Sequence, residues 1–313
     1  MITVIGSLNL DMVVYTKKIP RPGETVMGKN FKQVPGGKGG NQADAAAKLG
    51  ANVFMIGCIG NDTIGALLKS SLKADGVNVD SVLISNEAAT GVAAIIVEDS
   101  GDNAITVAPG ANNKLSTKDI ESLTPIIKKS KVMLLQLEVP IDSVRACLRI
   151  GRELGIITIL NPAPAAELDE EIYRYTDILT PNERELEFLT KHKTETLEQV
   201  EAAGRILIAK GTKEIIVTLG KKGCMYINER GAKHYKAYKV NAVDATAAGD
   251  GFNGALAVSL DEGKTMDEAI CFAMKVGAMI VTKEGAQTSL PSKNEINSFS
   301  KWLADNGKEG NEK

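Results

Sequence analysis

The chain has 313 residues, of which 43% are hydrophobic and 24% are charged, the balance of an ordinary soluble globular protein. Its net charge of −2 gives no general electrostatic reason to bind nucleic acid or an anionic membrane surface, so we expect neither partner. The four cysteines lie far apart, no apolar run approaches the roughly 20 residues that span a bilayer, and the first residues make a poor signal peptide. These features predict a cytoplasmic protein.

Short runs rich in valine and isoleucine alternate along the chain with longer helical patterns. The predicted buried strands are 2–6, 53–58, 132–135, 156–160, 177–180 and 214–219. The predicted helices are 40–49, 62–74, 140–150, 182–190, 196–209, 249–260, 265–282 and 292–303, and the polar tail 305–313 is expected to fray. This alternation predicts a three-layer, Rossmann-like α/β fold, with a mostly parallel central sheet and helices on both faces.

Two stretches break the alternation. Residues 12–15 and 25–34 are β-like with no helix directly after them, and residues 90–107 have the pattern of a hairpin around the turn EDSGDN. We interpret them as a small β-sheet lid built from about 12–36 and 88–108, with an ordinary edge hairpin as the alternative. Because the chain contains no repeat and no linker, residues 1–313 are predicted to form a single domain that carries this lid.

Polar residues follow five of the predicted strands at their carboxyl ends. They are Asn9, Asp11, Gln136, Glu138, Asn161, Asn182, Glu183, Glu185, Thr218 and Gly220. Any one of them could be a simple loop residue, and a role as a helix N-cap would by itself explain Asn182, which follows Pro181. Ligands of open α/β sheets bind at these strand ends, however. The five ends together predict a crevice with hydroxyl-binding groups on one side and groups suited to a polyphosphate or its metal on the other.

The stretch PGGKGGNQ, residues 35–42, places four glycines around Lys38 just before an alanine-rich helix. It lacks the G-x-x-x-x-G-K-[ST] spacing of a Walker A loop. A tight turn into a helix would explain one or two of the glycines, since glycine relieves the strain of positive φ. Four of them would also let backbone amides approach a hydroxylated ligand closely, with Lys38 and Asn41 as further donors.

A second glycine-rich stretch, ATAAGDGFNGAL at 245–256, contains the letters G-x-G-x-x-G of a dinucleotide-binding turn. No buried strand precedes it, the acidic residues about 20 positions later lie in a helical pattern, and Asp250 would repel a pyrophosphate. We therefore interpret Ala247, Ala248, Gly249 and Asp250 as the start of a helix. Its free amides and dipole would bind the charge of a transferring phosphoryl group, and the Asp250 carboxylate could take the proton of an attacking hydroxyl.

Nearly the whole chain, roughly 2–303, resembles the ribokinase family of sugar kinases. The motifs that carry the resemblance are GSLNLD at 6–11, PGET at 22–25, GGKGGNQA at 36–43, TGVA at 90–93, PGAN at 109–112, QLEVP at 136–140, NPAPA at 161–165, TPNERE at 180–185, DATAAGDGFNGAL at 244–256 and KEGAQTS at 283–289. The resemblance implies an ATP-dependent phosphotransferase with an alcohol group as acceptor, which converts D-ribose to ribose 5-phosphate. It also implies a homodimer that pairs through the lids.

The resemblance further implies a role for each residue that matches a family motif. Asp250 would be the general base, with Ala247, Ala248 and Gly249 as the anion hole. The implied sugar-binding residues are Asn9, Asp11, Gly37, Lys38, Asn41, Glu138 and Asp250. The implied nucleotide-binding residues are Asn182, Glu185, Thr218, Gly220, Gly223, Gly249 and Asn253, of which Asn182 and Glu185 would also hold Mg²⁺ through water. The implied K⁺ ligands are Asp244, Thr246, Ser289 and the backbone oxygens of Ile280, Lys283 and Gly285.

The sequence departs from the family pattern at two positions that bear on function. The family usually has threonine at the position of Ala245, and we expect the missing hydroxyl to affect how strongly potassium activates the enzyme. Gly40 replaces a usual alanine, at an expected cost below ~1 kcal/mol. The alternatives within the kinase class are a deoxyribokinase and another pentose or nucleoside kinase. A sugar-binding regulator without catalysis is disfavoured because Asp250, Lys38 and the Asn182–Glu185 pair are all present, and a dehydrogenase is disfavoured by the context of the glycines.

Overall fold

The computed structural model describes residues 1–307. Its strands are β1 (Ile2–Ile5), β2 (Asn9–Thr16), β3 (Gly28–Gly36), β4 (Val53–Gly60), β5 (Val82–Ser85), β6 (Gly91–Glu98), β7 (Asn103–Ala108), β8 (Val132–Leu135), β9 (Ile157–Leu160), β10 (Ile178–Leu179), β11 (Glu214–Thr218), β12 (Cys224–Asn228) and β13 (Gly231–Tyr235). Its α-helices are α1 (Lys38–Lys48), α2 (Thr63–Ala74), α3 (Thr117–Ser122), α4 (Thr124–Ile127), α5 (Ile141–Leu154), α6 (Glu170–Tyr175), α7 (Glu183–Thr190), α8 (Leu197–Ala209), α9 (Ala248–Asp261), α10 (Met266–Ile280), α11 (Lys293–Asn297) and α12 (Phe299–Asn306).

The central sheet has nine strands in the order β13-β12-β11-β10-β9-β8-β1-β4-β5. All neighbouring pairs from β11 to β5 are parallel, and only β12 and β13 are added in antiparallel orientation. In the middle of the sheet Ile2 pairs with Val53 of β4 on one side and with Val132 of β8 on the other. The four residues of β1 and the four of β8 are all buried, as expected for parallel strands that are covered on both faces.

Helices cover both faces of this sheet, so the predicted three-layer α/β fold is confirmed. Val132 and Leu134 of β8 belong to a hydrophobic cluster with residues of α1, α2, α9 and α10. Met133 and Leu135, the alternate residues of the same strand, belong to a second cluster with residues of α5, α7 and α8. The period-2 alternation of a β-strand thus assigns successive side chains to opposite layers of the fold.

A second sheet has four strands in the order β3-β2-β6-β7. Strand β2 pairs in parallel with β6, while the β2–β3 and β6–β7 pairs are antiparallel. The β-like segments 12–15, 25–34 and 90–107 therefore form a sheet of their own, and the alternative of an edge hairpin on the main sheet is wrong. Strand β2 starts four residues after the end of β1, which joins the second sheet closely to the middle of the first.

Some boundaries differ from the sequence prediction. Strand 177–180 contributes only Ile178–Leu179, and β5, β12 and β13 were not predicted. The single helix expected over 292–303 is two helices, α11 and α12, which meet at Ser298. Of the tail expected to fray, Asp305 and Asn306 belong to α12, and 308–313 lie outside the described residues.

The four cysteines are all free thiols. Among residues 1–307, no helix is long and apolar enough to cross a membrane.

Candidate active site

The five strands whose carboxyl ends carry polar residues are direct neighbours in the central sheet, in the order β11-β10-β9-β8-β1. Of the residues predicted to bind a sugar, Asn9, Asp11 and Glu138 follow β1 and β8. Of those predicted to bind a nucleotide, Asn182, Glu185, Thr218 and Gly220 lie at the ends of β10 and β11. Helix α9 packs against α1, β8 and β1 between these two groups. The structure therefore lines up all five polar strand ends along one edge, as the sequence predicted.

The glycines of PGGKGGNQ let the first turn of α1 press against the chain between β1 and β2. Gly37 is the N-cap of α1 with a φ of 84°, and a Cβ atom there would lie 2.7 Å from the backbone nitrogen of Asn9. A Cβ on Gly39 would lie 2.6 Å from the backbone nitrogen of Ser7. Real Cβ atoms do not approach backbone this closely, so only glycine fits at either position. This close approach brings Lys38 near the carboxylate of Asp11.

The side of the site that is predicted to bind the sugar concentrates ionisable groups around Lys38. The Lys38 N–H donates to Glu138 Oε2 over 3.1 Å, and the Ser7 hydroxyl donates to the same oxygen. Burial, together with the carboxylates of Glu138 and Asp250, raises the pKa of Asp11 to about 6, although Lys38 offsets part of the rise. Burial lowers the pKa of Lys38, but the surrounding carboxylates outweigh burial and raise it above its ordinary value. Lys38 is therefore a fixed positive charge at neutral pH.

Asp250 lies in the first turn of α9 and is only 7% exposed. Its two carboxylate oxygens accept from two side-chain amides of α1: Asn41 Nδ2 donates to Oδ2 over 2.9 Å, and Gln42 Nε2 donates to Oδ1 over 3.0 Å. Burial raises the pKa of Asp250, and Lys38, Asn41 and Gln42 offset part of that rise. The two helices approach this closely because α9 carries Gly254, where a Cβ would lie 2.8 Å from the Cβ of Ala45.

The start of α9 offers backbone donors to open space. Ala247, the N-cap, has left-handed backbone angles (φ 59°, ψ 8°), an uncommon conformation for a residue other than glycine. The N–H groups of Gly249 and Asp250 have no acceptor within residues 1–307, and a Cβ on Gly249 would meet no atom within 4 Å. Unpaired N–H groups and the positive end of the helix dipole make this a place where an anion binds favourably.

The residues predicted to bind the nucleotide are positioned by a helix capping box, by a backbone hydrogen bond and by glycines with positive φ. Asn182 and Glu185 form a capping box at the start of α7, since the Asn182 N–H donates to Glu185 Oε2 and the Glu185 N–H donates to Asn182 Oδ1, both over 2.8 Å. Thr218 lies beside Asn182, because its N–H donates to the Pro181 carbonyl over 2.9 Å. Gly220 and Gly223 both have positive φ, 53° and 103°. The capping role that the sequence allowed for Asn182 is therefore present in the structure.

Asn253 lies one turn after Gly249 on α9 and is 1% exposed. Its Nδ2 donates to the Gly249 carbonyl over 2.9 Å, and its Oδ1 accepts from the Thr180 hydroxyl over 2.7 Å. The side chain is thus engaged within the protein, in a position that supports the first turn of α9 from behind.

The residues implied as potassium ligands gather beside the α9 N-terminus. Asp244 Oδ1 accepts from the Thr246 N–H over 2.9 Å and from its hydroxyl over 2.6 Å, while Oδ2 accepts from the Gly285 N–H over 2.9 Å. Burial raises the pKa of Asp244, but these hydrogen bonds outweigh it and leave the pKa below its ordinary value. The backbone oxygens of Lys283 and Gly285 accept no hydrogen bond from any residue that the structure describes.

Four amide side chains support this site: Gln136, which the sequence already placed at a polar strand end, and Gln42, Asn112 and Gln287, which were not assigned a role from the sequence. Asn112 holds the connection between β1 and β2, since its Oδ1 accepts from the Leu8 N–H over 2.9 Å and its Nδ2 donates to Asn9 Oδ1 over 2.7 Å. Gln287 Nε2 donates to Asn41 Oδ1 over 3.3 Å. All four lie within the motifs of the family resemblance, which was the one signal that singled out Gln42, Asn112 and Gln287.

Comparison with known proteins agrees with this geometry. A model of the pfkB family of carbohydrate kinases matches residues 1–293. A ribokinase from Haemophilus influenzae is 39% identical over 298 residues, which cover 95% of this chain and 97% of that protein. A deoxyribokinase from Salmonella typhi is 38% identical over 299 residues, with coverage of 95% and 98%. The structure of Arabidopsis thaliana ribokinase complexed with ribose and ATP is similar with a TM-score of 0.89 at 32% identity, with coverage of 95% and 97%.

The fold, the buried carboxylate at a helix N-terminus and these similarities define a kinase that acts on carbohydrates. The chain belongs to the pfkB family of carbohydrate kinases. The resemblance to the ribokinase family, inferred from the sequence motifs, is thereby confirmed.

Proposed function

We propose that this chain transfers the γ-phosphoryl group of ATP to the 5-hydroxyl of D-ribose and releases ADP and ribose 5-phosphate. The observation that carries the proposal is the position of Asp250: a buried carboxylate in the same helical turn as unpaired N–H groups that face open space. A base and an anion site side by side suit an attack by a hydroxyl on a phosphoryl group. The similarity to a ribokinase structure complexed with ribose and ATP supports the choice of substrates.

In the proposed reaction, Asp250 accepts the proton of the 5-hydroxyl as the hydroxyl oxygen attacks the γ-phosphorus. The bond between the γ-phosphorus and the oxygen that bridges it to the β-phosphorus breaks, and the electron pair leaves with ADP. The N–H groups of Gly249 and Asp250 stabilise the charge of the phosphoryl oxygens. Ala247 supplies the left-handed turn before them, and the Ala248 N–H is not the free donor that the sequence predicted, because it closes this turn onto the Ala245 carbonyl over 3.2 Å. Asn41 and Gln42 hold the base, and the protonated Lys38 adds positive charge nearby.

The sugar would bind where β1 and β8 end. The carboxylate of Asp11 would accept hydrogen bonds from two ring hydroxyls, with the other sugar-side donors and acceptors supplied by Asn9, Gly37, Lys38, Asn41 and Glu138. Asn9 and Asp11 together favour a substrate with vicinal hydroxyls, which ribose has and 2-deoxyribose lacks at C2. The alternative that the chain prefers 2-deoxyribose or another pentose or nucleoside is kept because a deoxyribokinase is 38% identical to it.

ATP would bind across the ends of β10 and β11. The proposed nucleotide contacts are Thr218, Gly220, Gly223 and Gly249, with Asn253 acting through the backbone that it supports. The capping box leaves Glu185 Oε1 without a hydrogen-bond donor in the described part of the chain, so this oxygen and Asn182 fit a hydrated Mg²⁺. When bound, Mg²⁺ would neutralise part of the charge of the polyphosphate.

The loop beside the anion hole suits a monovalent cation. Asp244 is kept ionised by its hydrogen bonds, and the carbonyl oxygens of Lys283 and Gly285 are unpaired within residues 1–307. These groups would hold K⁺ together with Thr246, Ser289 and the carbonyl of Ile280. When bound, K⁺ would add positive charge beside the α9 N-terminus and stiffen the loop that carries Ala247.

We further propose that the chain is a single cytoplasmic kinase domain in which the second sheet is a lid over the sugar. Asn9 and Asp11 lie on β2, so a movement of this sheet would carry sugar-binding groups with it. Phe31, Ile105 and Val107 of the same sheet are exposed apolar side chains, which a partner lid would cover in a homodimer.

The test is a substrate panel. Purified protein is incubated with MgATP and D-ribose, 2-deoxyribose, fructose or adenosine, ADP release is followed, and the product is identified by ³¹P NMR. The highest kcat/KM with D-ribose and a 5-phosphate product would support the proposal. A higher kcat/KM with 2-deoxyribose or adenosine would move the assignment to the alternative, and no turnover with any of them would favour a binding protein without catalysis.

A further inference from the structure

Behind Asp250 lies a group of buried polar side chains in mutual hydrogen-bond contact. Gln42, which is fully buried, donates from Nε2 both to Asp250 Oδ1 over 3.0 Å and to Asn161 Oδ1 over 3.2 Å. Asn161 in turn donates from Nδ2 to the Thr180 carbonyl over 3.2 Å. Gln42 thus joins the proposed base on α9 to the residues that follow β9 and β10.

The contacts continue until they return to α9. The Thr180 hydroxyl donates to Asn253 Oδ1 over 2.7 Å, and Asn253 Nδ2 donates to the carbonyl of Gly249 over 2.9 Å. Gly249 precedes Asp250 in the chain, so the hydrogen bonds form a closed ring. One side of this ring is the carboxylate of the base, and the other is the backbone of the proposed anion hole.

The charge of Asp250 fixes the direction of these hydrogen bonds. A carboxylate only accepts, so Gln42 must turn its NH₂ group toward Asp250 and its oxygen away. The Gln42 oxygen then accepts from Gln136 Nε2 over 2.6 Å. Gln136 Oε1, at the end of this chain, is buried with no partner in the described residues, and it rests against Gly6, where any Cβ would overlap it. A buried oxygen without a donor costs free energy. This free energy is the cost of an arrangement in which Gln42 turns its NH₂ group, and not its oxygen, toward Asp250.

We propose that Gln42 is a positioning residue for phosphoryl transfer, which keeps Asp250 ionised and oriented and couples it to the first turn of α9. The inference rests on the proposed function, in which Asp250 is the general base. Asn41 also donates to Asp250, but it lies at the sugar side of the site and is itself a proposed sugar ligand. Gln42 has no contact with solvent, and its donors are fully used by Asp250 and Asn161.

The charged groups around Asp250 do not make this hydrogen bond redundant. Lys38 of α1 favours the ionised form of Asp250. Glu138 after β8, Asp11 of β2 and Glu185 of α7 face it as well, and all three carboxylates oppose its ionisation. With one favourable charge against three unfavourable ones in a buried site, the loss of a neutral donor should raise the proton affinity of Asp250.

The test is the pH dependence of kcat at saturating D-ribose, or saturating 2-deoxyribose if that is the better substrate, with MgATP in excess, because kcat/KM would also report the titration of Asp11. Gln42→Met keeps the volume of the side chain and removes the donor. We expect the acid limb of the profile, which is the range over which the rate falls as the pH is lowered, to move up by about one pH unit. The reason is that a hydrogen bond to a charged group is worth about a tenfold change in proton affinity or more. We also expect kcat to fall about tenfold, with the sugar KM changed less than about threefold. Gln42→Glu places a second carboxyl group against Asp250 and should move the limb further.

Thr158→Val is the matched control. Thr158 is fully buried near the start of β9 and donates to the Tyr175 carbonyl over 2.9 Å, so this variant also loses a buried hydrogen bond. We expect it to lower the melting temperature without moving the acid limb. If Gln42→Met does not fold, Gln42→Glu carries the test, because its shape is unchanged.

An acid limb that stays within about 0.3 pH units of wild type in both Gln42 variants would overturn the positioning role. A shift that Thr158→Val reproduces would do the same. Asp250→Asn, measured in parallel, separates this failure from that of the proposed function: if it keeps more than about a tenth of wild-type kcat, the assignment of Asp250 as the base is itself wrong.

Discussion

Asp250 and Asp244 lie at the two ends of one short segment, yet their surroundings push their proton affinities in opposite directions. Both carboxylates accept hydrogen bonds at each oxygen, Asp250 from two side-chain amides and Asp244 from two backbone N–H groups and a hydroxyl. Burial raises the pKa of both, but it prevails only at Asp250, which is 7% exposed among other carboxylates. At the half-buried Asp244 the hydrogen bonds prevail and the pKa is lowered.

The difference shows how two aspartates six residues apart can be fitted for different chemistry. A carboxylate with a raised proton affinity is suited to take a proton, whereas one held ionised is suited to hold a cation. We therefore expect substitutions at the two positions to differ in the size and in the kind of their effect on turnover.

Replacement of Asp250 by asparagine should have the largest effect. The variant keeps the shape of the side chain but cannot accept the proton, so kcat should fall by about 10²-fold or more. Asp261→Asn is the control on the same helix: Asp261, at the far end of α9, pairs with the N-terminal ammonium group over 2.5 Å and should affect stability but not turnover. Steady-state assays of both variants with MgATP and ribose decide the comparison, and equal losses in both would contradict it.

The KM for ribose should depend on pH through the protonation of Asp11. Because the pKa of Asp11 is raised to about 6, its carboxylate is ionised above pH 6 and protonated below it. A protonated Asp11 no longer accepts from two hydroxyls, so the KM for ribose should rise as the pH falls below about 6, by up to about tenfold per pH unit. Asp11→Asn should show a high KM that no longer varies with pH in this range. A wild-type KM that stays flat down to pH 5 would place the sugar elsewhere.

Asp244→Asn should have a smaller effect, confined to the response to potassium. The loss of one negative charge at the proposed cation site should reduce the stimulation of kcat by KCl by about tenfold, the size expected for one charged interaction. The acid limb of kcat at saturating ribose should stay in place, since Asp250, and not Asp244, is the proposed proton acceptor. Rates in KCl and in tetramethylammonium chloride at equal ionic strength measure the stimulation. A shifted acid limb with unchanged stimulation would reverse the roles assigned to the two aspartates.

The smallest effect is expected at Ala245, where the family usually has threonine. Ala245 is exposed, and its carbonyl accepts from the Ala248 N–H over 3.2 Å, so the turn is closed through the backbone whatever the side chain is. Ala245→Thr should therefore change the concentration of KCl that gives half-maximal stimulation by less than about threefold, about the 0.6 kcal/mol or less that a weak surface hydrogen bond contributes. A KCl titration of both proteins measures this. A tenfold change would show that the hydroxyl matters to the cation loop.

The central part of the fold could be predicted from the sequence because its strands are buried on both faces. Strand β8 is a continuous run of apolar residues and β1 is interrupted only by Thr3, and both were predicted almost to the residue. Strand β13 (GAKHY) has no buried residue, so it carries no apolar signal that separates it from a loop. The helix expected over 292–303 is interrupted at Ser298. The helical pattern of the sequence does not reveal this interruption, because it depends on tertiary packing.

The site was predictable wherever a residue type or spacing is unusual, as at Asp250 in the first turn of a helix or at the four glycines around Lys38. The supporting amides were not. A glutamine such as Gln42 looks the same in a sequence whether it faces water or a buried carboxylate. Its partner is decided by how closely α1 and α9 approach at Gly254, which is a property of the folded chain.

The most direct test of the central claim is a calorimetric titration of ribose into the Asp250→Asn variant, beside its turnover. If Asp250 is the proton acceptor and the sugar is bound mainly by the groups around Asp11, ribose should bind the variant with a Kd within about threefold of wild type, although kcat has fallen by about 10²-fold or more. A ribose affinity that falls as far as kcat would contradict the account, because Asp250 would then act by binding the sugar and not by accepting its proton.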